Sequence, residues 1–228
     1  AYTNVEKAED EKEIARAVNV TGVENIAHAC AKNNTILLHI STDFVFDGKK
    51  TVPYTEEDEP HPLGVYGQTK YEGELAVQKY CPKSFIVRPQ WLYSWYGSNF
   101  VKTMMRLCQT RESLPVVADQ YGSPTYARDL AQALLKMIEY CERKKSDIPF
   151  GIYHYANDGE VTWFEFAQKI VELAGLSCAL QPIPALDFPS KVTRPAYSVL
   201  SSKKILHTFE LVIPEWDMSL SECIERLV

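Results

Sequence analysis

Hydrophobic residues along this chain fall into short continuous runs separated by segments of helical periodicity. Two of the runs, at residues 35–41 and 84–89, flank an amphipathic segment at residues 63–80. Near-continuous apolar runs are typical of parallel strands that are covered on both faces. The pattern therefore predicts a strand-helix-strand unit, and the first strand ends in the polar residues Ser41, Thr42 and Asp43.

The rest of the chain continues the alternation of helices and strands. Asn99 is placed to cap one predicted helix, and Thr162 and Glu165 have the spacing of a capping box at the start of another. In the first predicted helix, Ile14 and Val18 belong to an apolar stripe near helical spacing. The predicted helices cover residues 10–32, 63–80, 99–110, 125–143, 162–175 and 219–227, and further strands cover residues 114–118, 151–156 and 180–184.

Composition narrows the class of protein. The 228 residues are 46% hydrophobic and 24% charged, which is enough apolar material to bury a core. The formal net charge is -6 and no run of Lys or Arg occurs, so neither nucleic acid nor a membrane is expected as a partner. No apolar stretch has the length of a membrane span. The six cysteines are far apart and lack metal-binding spacing, which predicts free thiols in a reducing cytoplasm and no metal site.

The beginning of the chain lacks a pattern that a dinucleotide-binding protein would carry. Such a protein has a Gly-rich turn after its first strand, where backbone amides at a helix N-terminus hold the pyrophosphate. The ten glycines never form that turn, and no strand precedes the first predicted helix. Because one such unit takes about 30 residues, we expect about two strand-helix-strand units to precede residue 1 in the full-length protein.

Tyr66 and Lys70 are the leading candidates for chemistry. They are four residues apart on the predicted helix 63–80, so their side chains share one face. An ammonium group beside a phenol lowers the pKa of the phenol and suits it to acid-base catalysis at a carbonyl carbon. The spacing alone is common by chance, and its ordinary interpretation is a solvated helix face. The polar residues that end the preceding strand favour the catalytic interpretation, because ligands bind at the carboxyl ends of parallel strands.

Five segments together resemble the extended branch of the short-chain dehydrogenase/reductase superfamily, and within it the family of dTDP-4-dehydrorhamnose reductases. The segments occur in the order found in that family, and the resemblance runs from Ala1 to about the last helix. They are AYTNVEKAE (1–9), STDFVFDG (41–48), VYGQTK (65–70), NFVKTMMRL (99–107) and DQYGSPT (119–125).

The resemblance implies a fold and a reaction. The fold is α/β, a Rossmann-type, doubly wound parallel sheet that binds NAD(P) and is truncated at its N-terminus here, with a smaller C-terminal α/β lobe. Residues 1–94 would be the remainder of the Rossmann-type domain, and residues 95–228 mainly the substrate-binding lobe, with the chain crossing back between them. The reaction is reduction of the C4 keto group of dTDP-4-dehydro-L-rhamnose by NADPH or NADH, which gives dTDP-L-rhamnose.

The resemblance also implies roles for individual residues. Tyr66, Lys70 and Thr42 would be catalytic: Tyr66 protonates the reacting oxygen, Lys70 holds the nicotinamide ribose, and Thr42 donates a hydrogen bond. Asp43 and Trp91 would join Thr42 in binding the dTDP-sugar. The backbone of Ala1, Tyr2 and Thr3 would join Tyr66 and Lys70 at the cofactor.

A homodimer is the assembly that the resemblance suggests. Some family members bridge the dimer with a divalent ion held by acidic residues. Thr110 and Arg226 stand in place of two of these acids, although a shift by one position would bring in Glu225. We therefore predict that this chain binds no metal ion.

Two other functions are compatible with the sequence. The first is another extended-branch reductase or epimerase that acts on a different nucleotide sugar with the same catalytic residues. The second is a regulatory subunit of the same fold without catalysis. The presence of Thr42, Tyr66 and Lys70 together favours an enzyme, because a pure binding scaffold has no need of all three.

Overall fold

Helices and strands alternate along most of the chain, and the computed structural model describes residues 1–227. A π-helical turn, Ala17–Thr21, joins the second and third helices, and 3-10 turns form at Asp43–Val45 and Ala185–Asp187. The strands are β1 (Leu37–Ile40), β2 (Ser84–Pro89), β3 (Leu92–Tyr93), β4 (Ser113–Val117), β5 (Tyr121–Gly122), β6 (Thr125–Tyr126), β7 (Gly151–Tyr155), β8 (Val161–Thr162) and β9 (Ala179–Ile183). The helices are α1 (Val5–Ala8), α2 (Lys12–Arg16), α3 (Gly22–Lys32), α4 (Val65–Tyr80), α5 (Phe100–Cys108), α6 (Ala127–Lys144), α7 (Trp163–Leu173), α8 (Lys203–Phe209) and α9 (Trp216–Glu225).

A parallel sheet in the order β1-β2-β7 organises the part of the fold that carries the predicted site. Leu37 pairs with Ser84, and Phe85 pairs with Gly151, so both ladders are parallel and the carboxyl ends of the strands meet at one edge. The central strand β2 is buried throughout. Helix α4 connects β1 to β2, which confirms the strand-helix-strand unit predicted from the sequence.

Two large hydrophobic clusters divide the core. One packs α6 and α8 against the central sheet, and its buried members are Phe85, Val87, Leu130, Ala133, Met137, Tyr153, Tyr155, Ile205 and Phe209. The other joins α5, α7 and α9 to short strands, and its buried members are Tyr93, Val101, Met104, Cys108, Leu114, Val116, Tyr126, Val161, Phe166, Ala167, Ile170, Cys178, Leu220, Cys223 and Ile224. Because α6 and β7 lie between α5 and α7 in the chain, the backbone passes from one cluster to the other more than once.

Most of the predicted element boundaries are confirmed to within about two residues. The Asn99 side chain accepts a hydrogen bond from the Lys102 backbone N–H at 3.2 Å, and Thr162 and Glu165 form the predicted capping box. Helix α8 was not predicted from the sequence. None of the helices within residues 1–227 has both the length and the apolar composition needed to cross a membrane.

The helix predicted at residues 10–32 buries a different face from the one that its apolar residues predict. It forms as α2, the π-helical turn and α3, and the side chains of Ile14 and Val18 are 53% and 41% exposed. Polar Asn19 is buried instead. The π-helical turn inserts an extra residue and rotates the turns that follow it, a change that apolar periodicity does not reveal, whereas Ile14 precedes this turn and its exposure has no explanation in it.

Candidate active site

Thr42 and Asp43 follow the end of β1 and therefore lie at the carboxyl edge of the sheet. Both residues are buried, and Thr42 has extended backbone angles that place it at the start of the 3-10 turn. Its hydroxyl accepts a hydrogen bond from the Phe44 backbone N–H at 3.2 Å and donates one to Asp43 Oδ1 at 3.1 Å. Thr42 is therefore a cap for the local backbone as well as a hydroxyl donor at this edge.

Helix α4 brings Tyr66 and Lys70 to the same edge. The Lys70 ammonium donates a 2.6 Å hydrogen bond to the Ile40 carbonyl oxygen, the last carbonyl of β1. The Tyr66 ring packs edge-on against Phe44, with ring centroids 5.5 Å apart. Both side chains are buried, so the interpretation of this segment as an ordinary solvated helix face is wrong.

The beginning of α4 is fixed by contacts from distant parts of the chain. Its N-cap residue is Gly64, which has no side chain, and Glu9 Oε1 accepts the hydrogen bond of the Val65 backbone N–H at 2.7 Å. A carboxylate at a helix N-terminus also interacts favourably with the helix dipole. One residue beyond Tyr66, Gly67 lies against the Phe44 carbonyl oxygen with no room for a Cβ atom. These contacts set the distance between Tyr66 and the Thr42 segment.

The pKa values of the pair differ from the sequence-based expectation. Burial raises the pKa of Tyr66 to about 12, hydrogen bonding to Thr42 acts in the opposite direction, and the charge of Asp43 adds to the increase. Burial lowers the pKa of Lys70 to about 8, against the influence of Glu74. The expected lowering of the phenol pKa by the ammonium is therefore wrong, because burial raises the pKa of Tyr66. A protonated phenol is nevertheless the form that a general acid requires.

Asp43 combines complete burial with an incomplete set of partners. Burial raises the pKa of its carboxyl group to about 7, and the neighbouring hydroxyl groups of Ser198 and Thr42 oppose that increase. Within residues 1–227, its Oδ2 atom has no hydrogen-bond partner. A buried acceptor without a partner costs about 1–3 kcal/mol. The carboxyl group is thus suited to receive a hydrogen bond from a bound hydroxyl group.

The backbone of Tyr2 is fixed beside α4. The Tyr2 N–H donates to Asn19 Oδ1 at 2.8 Å, and Asn19 Nδ2 donates to the Tyr2 carbonyl oxygen at 3.0 Å and to Thr69 Oγ1 at 3.2 Å. The Tyr2 hydroxyl donates to Glu11 at 2.6 Å, and Tyr2 is half-buried. Tyr2 belongs to the same small cluster as Tyr66, whereas Ala1 and Thr3 are exposed. The N-terminal segment predicted to contact the cofactor therefore lies next to the catalytic helix.

Trp91 follows β2 and is held in one orientation. Its backbone φ of +44° is in the left-handed region, which is uncommon for a bulky residue. The indole stacks on Trp163 with ring centroids 3.5 Å apart, and Gly122 leaves the space that the indole occupies. A strained and firmly packed aromatic residue at this position is consistent with a binding surface.

Several supporting residues were missed in the sequence. Asn19, Glu9 and Ser198 act through contacts with residues far away in the chain, and no local pattern marks them. Arg194, left out of the predicted site, pairs with Glu6 at 3.2 Å. Among residues 1–227 there is no group of three or more His, Cys, Asp or Glu side chains arranged to hold a metal ion. The absence of a metal site stays a prediction.

Known proteins resemble this chain over nearly its whole length. The family model described as RmlD substrate binding domain matches residues 1–228. A dTDP-4-dehydrorhamnose reductase from Aggregatibacter actinomycetemcomitans is 42% identical over 226 residues, which are 96% of this chain and 76% of that protein.

Two solved structures of proteins with that name are also similar. The one from Clostridium acetobutylicum has a TM-score of 0.93 and 39% identity, and the match covers 100% of this chain and 78% of that chain. The one from Bacillus anthracis, in complex with NADP, has a TM-score of 0.93 and 39% identity, with 99% and 78% covered. The parallel α/β architecture described above is therefore the Rossmann-type fold of these reductases, as predicted from the sequence.

Proposed function

This chain belongs to the RmlD substrate binding domain family, and we propose that it reduces the C4 keto group of dTDP-4-dehydro-L-rhamnose with NADPH or NADH. The product is dTDP-L-rhamnose, a nucleotide sugar for polysaccharide synthesis. The similar proteins that carry the reductase name cover at least 96% of the chain. One similar reductase has been solved with NADP.

The observation that carries this proposal is the convergence of three side chains at the carboxyl end of β1. Thr42 follows that strand directly, Lys70 bonds its last carbonyl group, and Tyr66 packs on Phe44 in the next turn. The carboxyl ends of parallel strands are where open α/β sheets bind ligands. A phenol, an ammonium and a hydroxyl group in one buried place are suited to protonating and stabilising an oxygen that gains negative charge.

The residues beside α4 fit a nicotinamide ribose. Lys70 uses one hydrogen bond on Ile40, and an ammonium group has three donors, so two remain for ribose hydroxyl groups. The Tyr2 backbone is held next to this position by Asn19. We assign the backbone of Ala1, Tyr2 and Thr3, together with Tyr66 and Lys70, to cofactor binding.

Each catalytic side chain has one task in the proposed reaction. The reduced nicotinamide, when bound, supplies a hydride for C4 of the sugar. Tyr66 gives its phenolic proton to the C4 oxygen as negative charge develops there. Thr42 donates a hydrogen bond to the same oxygen, for which its hydroxyl turns away from Asp43 Oδ1. Lys70, positively charged, holds the ribose and stabilises the phenolate that remains on Tyr66.

Asp43 and Trp91 are assigned to sugar-nucleotide binding with Thr42. The free Oδ2 atom of Asp43 accepts a hydrogen bond from a sugar hydroxyl group, which satisfies a buried acceptor. Trp91 offers a flat apolar surface whose orientation is fixed by the Trp163 stack. Residues 1–94 are assigned to the cofactor side and residues 95–228 mainly to the sugar-nucleotide side, with α6 and β7 returning to the sheet.

Two further assignments concern the cellular compartment and the oligomeric state of the protein. We place it in the cytoplasm, and this is supported by six cysteines that are all free, as expected in a reducing compartment. We assign it as a homodimer on the resemblance alone, and light scattering of the purified protein measures that state.

The test of the proposed function is a reaction with a deuterated cofactor. The purified full-length protein is incubated with dTDP-4-dehydro-L-rhamnose and NADPH or NADH carrying deuterium at the transferred position. We expect cofactor oxidation and a dTDP-L-rhamnose with deuterium at C4, seen by NMR. Parallel reactions with other dTDP- and GDP-linked keto sugars measure specificity. If another sugar nucleotide were reduced faster, it would replace dTDP-4-dehydro-L-rhamnose as the proposed substrate. If no sugar caused oxidation of the cofactor, the result would favour a non-catalytic subunit.

Replacing Thr42 tests its hydroxyl group. Thr42→Val keeps the volume but removes the donor, and we expect kcat to fall about tenfold, the value of one hydrogen bond of about 1.4 kcal/mol. The hydroxyl also caps the Asp43–Val45 turn, so a loss of about 1 kcal/mol in unfolding free energy is expected. Thr42→Ser restores the donor and should recover most of the activity. A melted circular dichroism spectrum for Thr42→Val would mean that Thr42 is structural.

A further inference from the structure

A buried ion pair joins the catalytic helix to the central strand of the sheet. Glu74 on α4 and Arg88 on β2 have side chains that are 0% and 1% exposed. Arg88 Nε donates to Glu74 Oε1 at 2.9 Å, and Nη2 donates to Oε2 at 2.6 Å. Two parallel hydrogen bonds of this kind fix both the distance and the angle between the groups.

His154 extends the pair without adding charge. Its Nε2 atom lies 3.4 Å from Arg88 Nη1, and its Nδ1 atom lies 3.2 Å from the Tyr54 carbonyl oxygen. Since the guanidinium can only donate, Nε2 must accept and Nδ1 must carry the proton. Burial, followed by the charge of Arg88, lowers the pKa of His154 to about 3. The ring is neutral at neutral pH, and Glu74 and Arg88 form a balanced pair of charges.

Glu74 lies one helical turn after Lys70. The two residues are four apart on α4 and therefore share one helix face. Burial lowers the pKa of Lys70 to about 8, and the negative charge of Glu74 acts against that fall. The carboxylate thus supports the charged form of the catalytic lysine.

The other ionisable groups around Lys70 do not take this role. Burial, followed by the charge of Lys70, lowers the pKa of His39 on β1 to about 3, so that ring is neutral. Tyr66 holds its proton, because burial raises its pKa to about 12. Burial raises the pKa of Asp43 to about 7, which disfavours its charged form. Two ionisable side chains on the helices that pack against α4 have other partners: Arg16 pairs with Glu72, and His28 stacks on Tyr80.

Stability alone is a weak reason for such a pair. The desolvation of two buried charges often cancels their attraction, and apolar replacements of similar volume are frequently neutral for stability. We propose that Glu74, held by Arg88, is a positioning residue for Lys70 that keeps the lysine ammonium charged, while the hydrogen bond to Ile40 directs the ammonium at the end of β1. The proposal rests on the proposed function only in giving Lys70 a catalytic task, since the coupling between Glu74 and Lys70 can be measured without turnover.

The direct test is an NMR titration of Lys70. Lysine labelled at Cε is incorporated into the full chain, and the signal that disappears in Lys70→Arg identifies Lys70. In Glu74→Gln we expect the pKa of Lys70 to fall by about one unit or more, because an opposite charge is lost and the Arg88 charge is left unbalanced. The matched control is Glu72→Gln, which removes a carboxylate from the other side of the same helix, where it pairs with Arg16. It should leave the Lys70 titration within about 0.2 units.

A second variant separates charge from folding. Glu74→Met combined with Arg88→Met removes both buried charges, so the fold should persist even if Glu74→Gln does not fold. In this double variant we expect the pKa of Lys70 to fall by less than in Glu74→Gln, because the positive charge of Arg88 is removed as well. The pKa should still fall, because the lost carboxylate lies on the same helix as Lys70. An unchanged Lys70 pKa in a folded Glu74 variant would overturn the proposal, and so would an equal fall in Glu72→Gln.

The pH dependence of kcat/KM then distinguishes this proposal from the proposed function. Loss of the charged lysine should move the alkaline limb of the profile to lower pH by the same amount as the NMR titration. If the Lys70 titration shifts and the profile does not, the coupling stands and the catalytic assignment of Lys70 fails. If Lys70→Arg abolishes activity while Glu74→Gln shifts neither measurement, the catalytic assignment stands and this proposal fails.

Discussion

Replacement of Tyr66 by Phe should lower kcat by at least about a hundredfold, the usual contribution of a general acid. The aromatic ring that packs on Phe44 remains, so folding should be little changed. KM should change much less than kcat, because the lost interaction develops only in the transition state. Steady-state kinetics with dTDP-4-dehydro-L-rhamnose measures the first effect, and thermal unfolding measures the second.

The control for this variant lies on the same helix. Tyr71→Phe removes a hydroxyl group from a tyrosine that packs with the Val45 and Phe46 cluster, and it should keep nearly full activity. Equal losses in the two variants would mean that the effect comes from the helix and not from the acid. Turnover near that of the unaltered protein in Tyr66→Phe would remove Tyr66 from the mechanism.

The placement of Thr42, Tyr66 and Lys70 at one edge of the sheet could be predicted from the sequence because it follows from local patterns and one rule of topology. An apolar strand that ends in Ser41, Thr42 and Asp43 is recognisable in the chain, and so is a helix with Tyr66 and Lys70 on one face. The rule that ligands bind at the carboxyl ends of parallel strands then brings the two segments together. The structure confirms the strand-helix-strand unit on which this inference depends.

The contacts that hold the site in place could not be predicted in the same way. Glu9 caps α4 from 56 residues away, and Asn19 joins the Tyr2 backbone to Thr69 across 17 and 50 residues. Such contacts depend on the final packing and leave no periodic signal. The pair of Glu74 and Arg88 is a further example: helical spacing places Glu74 one turn from Lys70, but nothing in the sequence marks Arg88 as its partner.

Burial also reversed an electrostatic expectation that spacing had suggested. A phenol and an ammonium on one helix face should favour the phenolate in water. In the structure, both groups are buried, so each shifts towards its neutral form. The sequence predicts which groups meet, whereas the direction of a pKa shift depends on how much water remains around them.

The start of α4 illustrates how closely the groups proposed for catalysis depend on the backbone. Glu9 binds the first N–H of the helix, and Gly67 allows the helix to touch the turn that carries Thr42. Tyr66 lies between these two contacts. A movement of this helical turn would therefore separate the phenol from Thr42 even if every catalytic side chain were retained.

Gly67→Ala should consequently lower kcat/KM by about a hundredfold or more and destabilise the fold by about 1–3 kcal/mol. A Cβ atom at Gly67 would overlap the Phe44 carbonyl oxygen and come within 3.1 Å of Pro62, and backbone atoms cannot move aside cheaply. A displacement of about 1 Å between catalytic groups is enough for such a loss.

The matched control for this substitution is Gly22→Ala on α3. Gly22 has helical backbone angles, and its nearest neighbour to a new Cβ is the Ala17 carbonyl oxygen at an ordinary 3.4 Å. It should keep full activity and gain up to about 1 kcal/mol, because Ala favours a helix over Gly. Kinetics and thermal unfolding of both variants, measured side by side, give the comparison. Full activity in Gly67→Ala would show that the contact between α4 and Phe44 does not set the catalytic geometry.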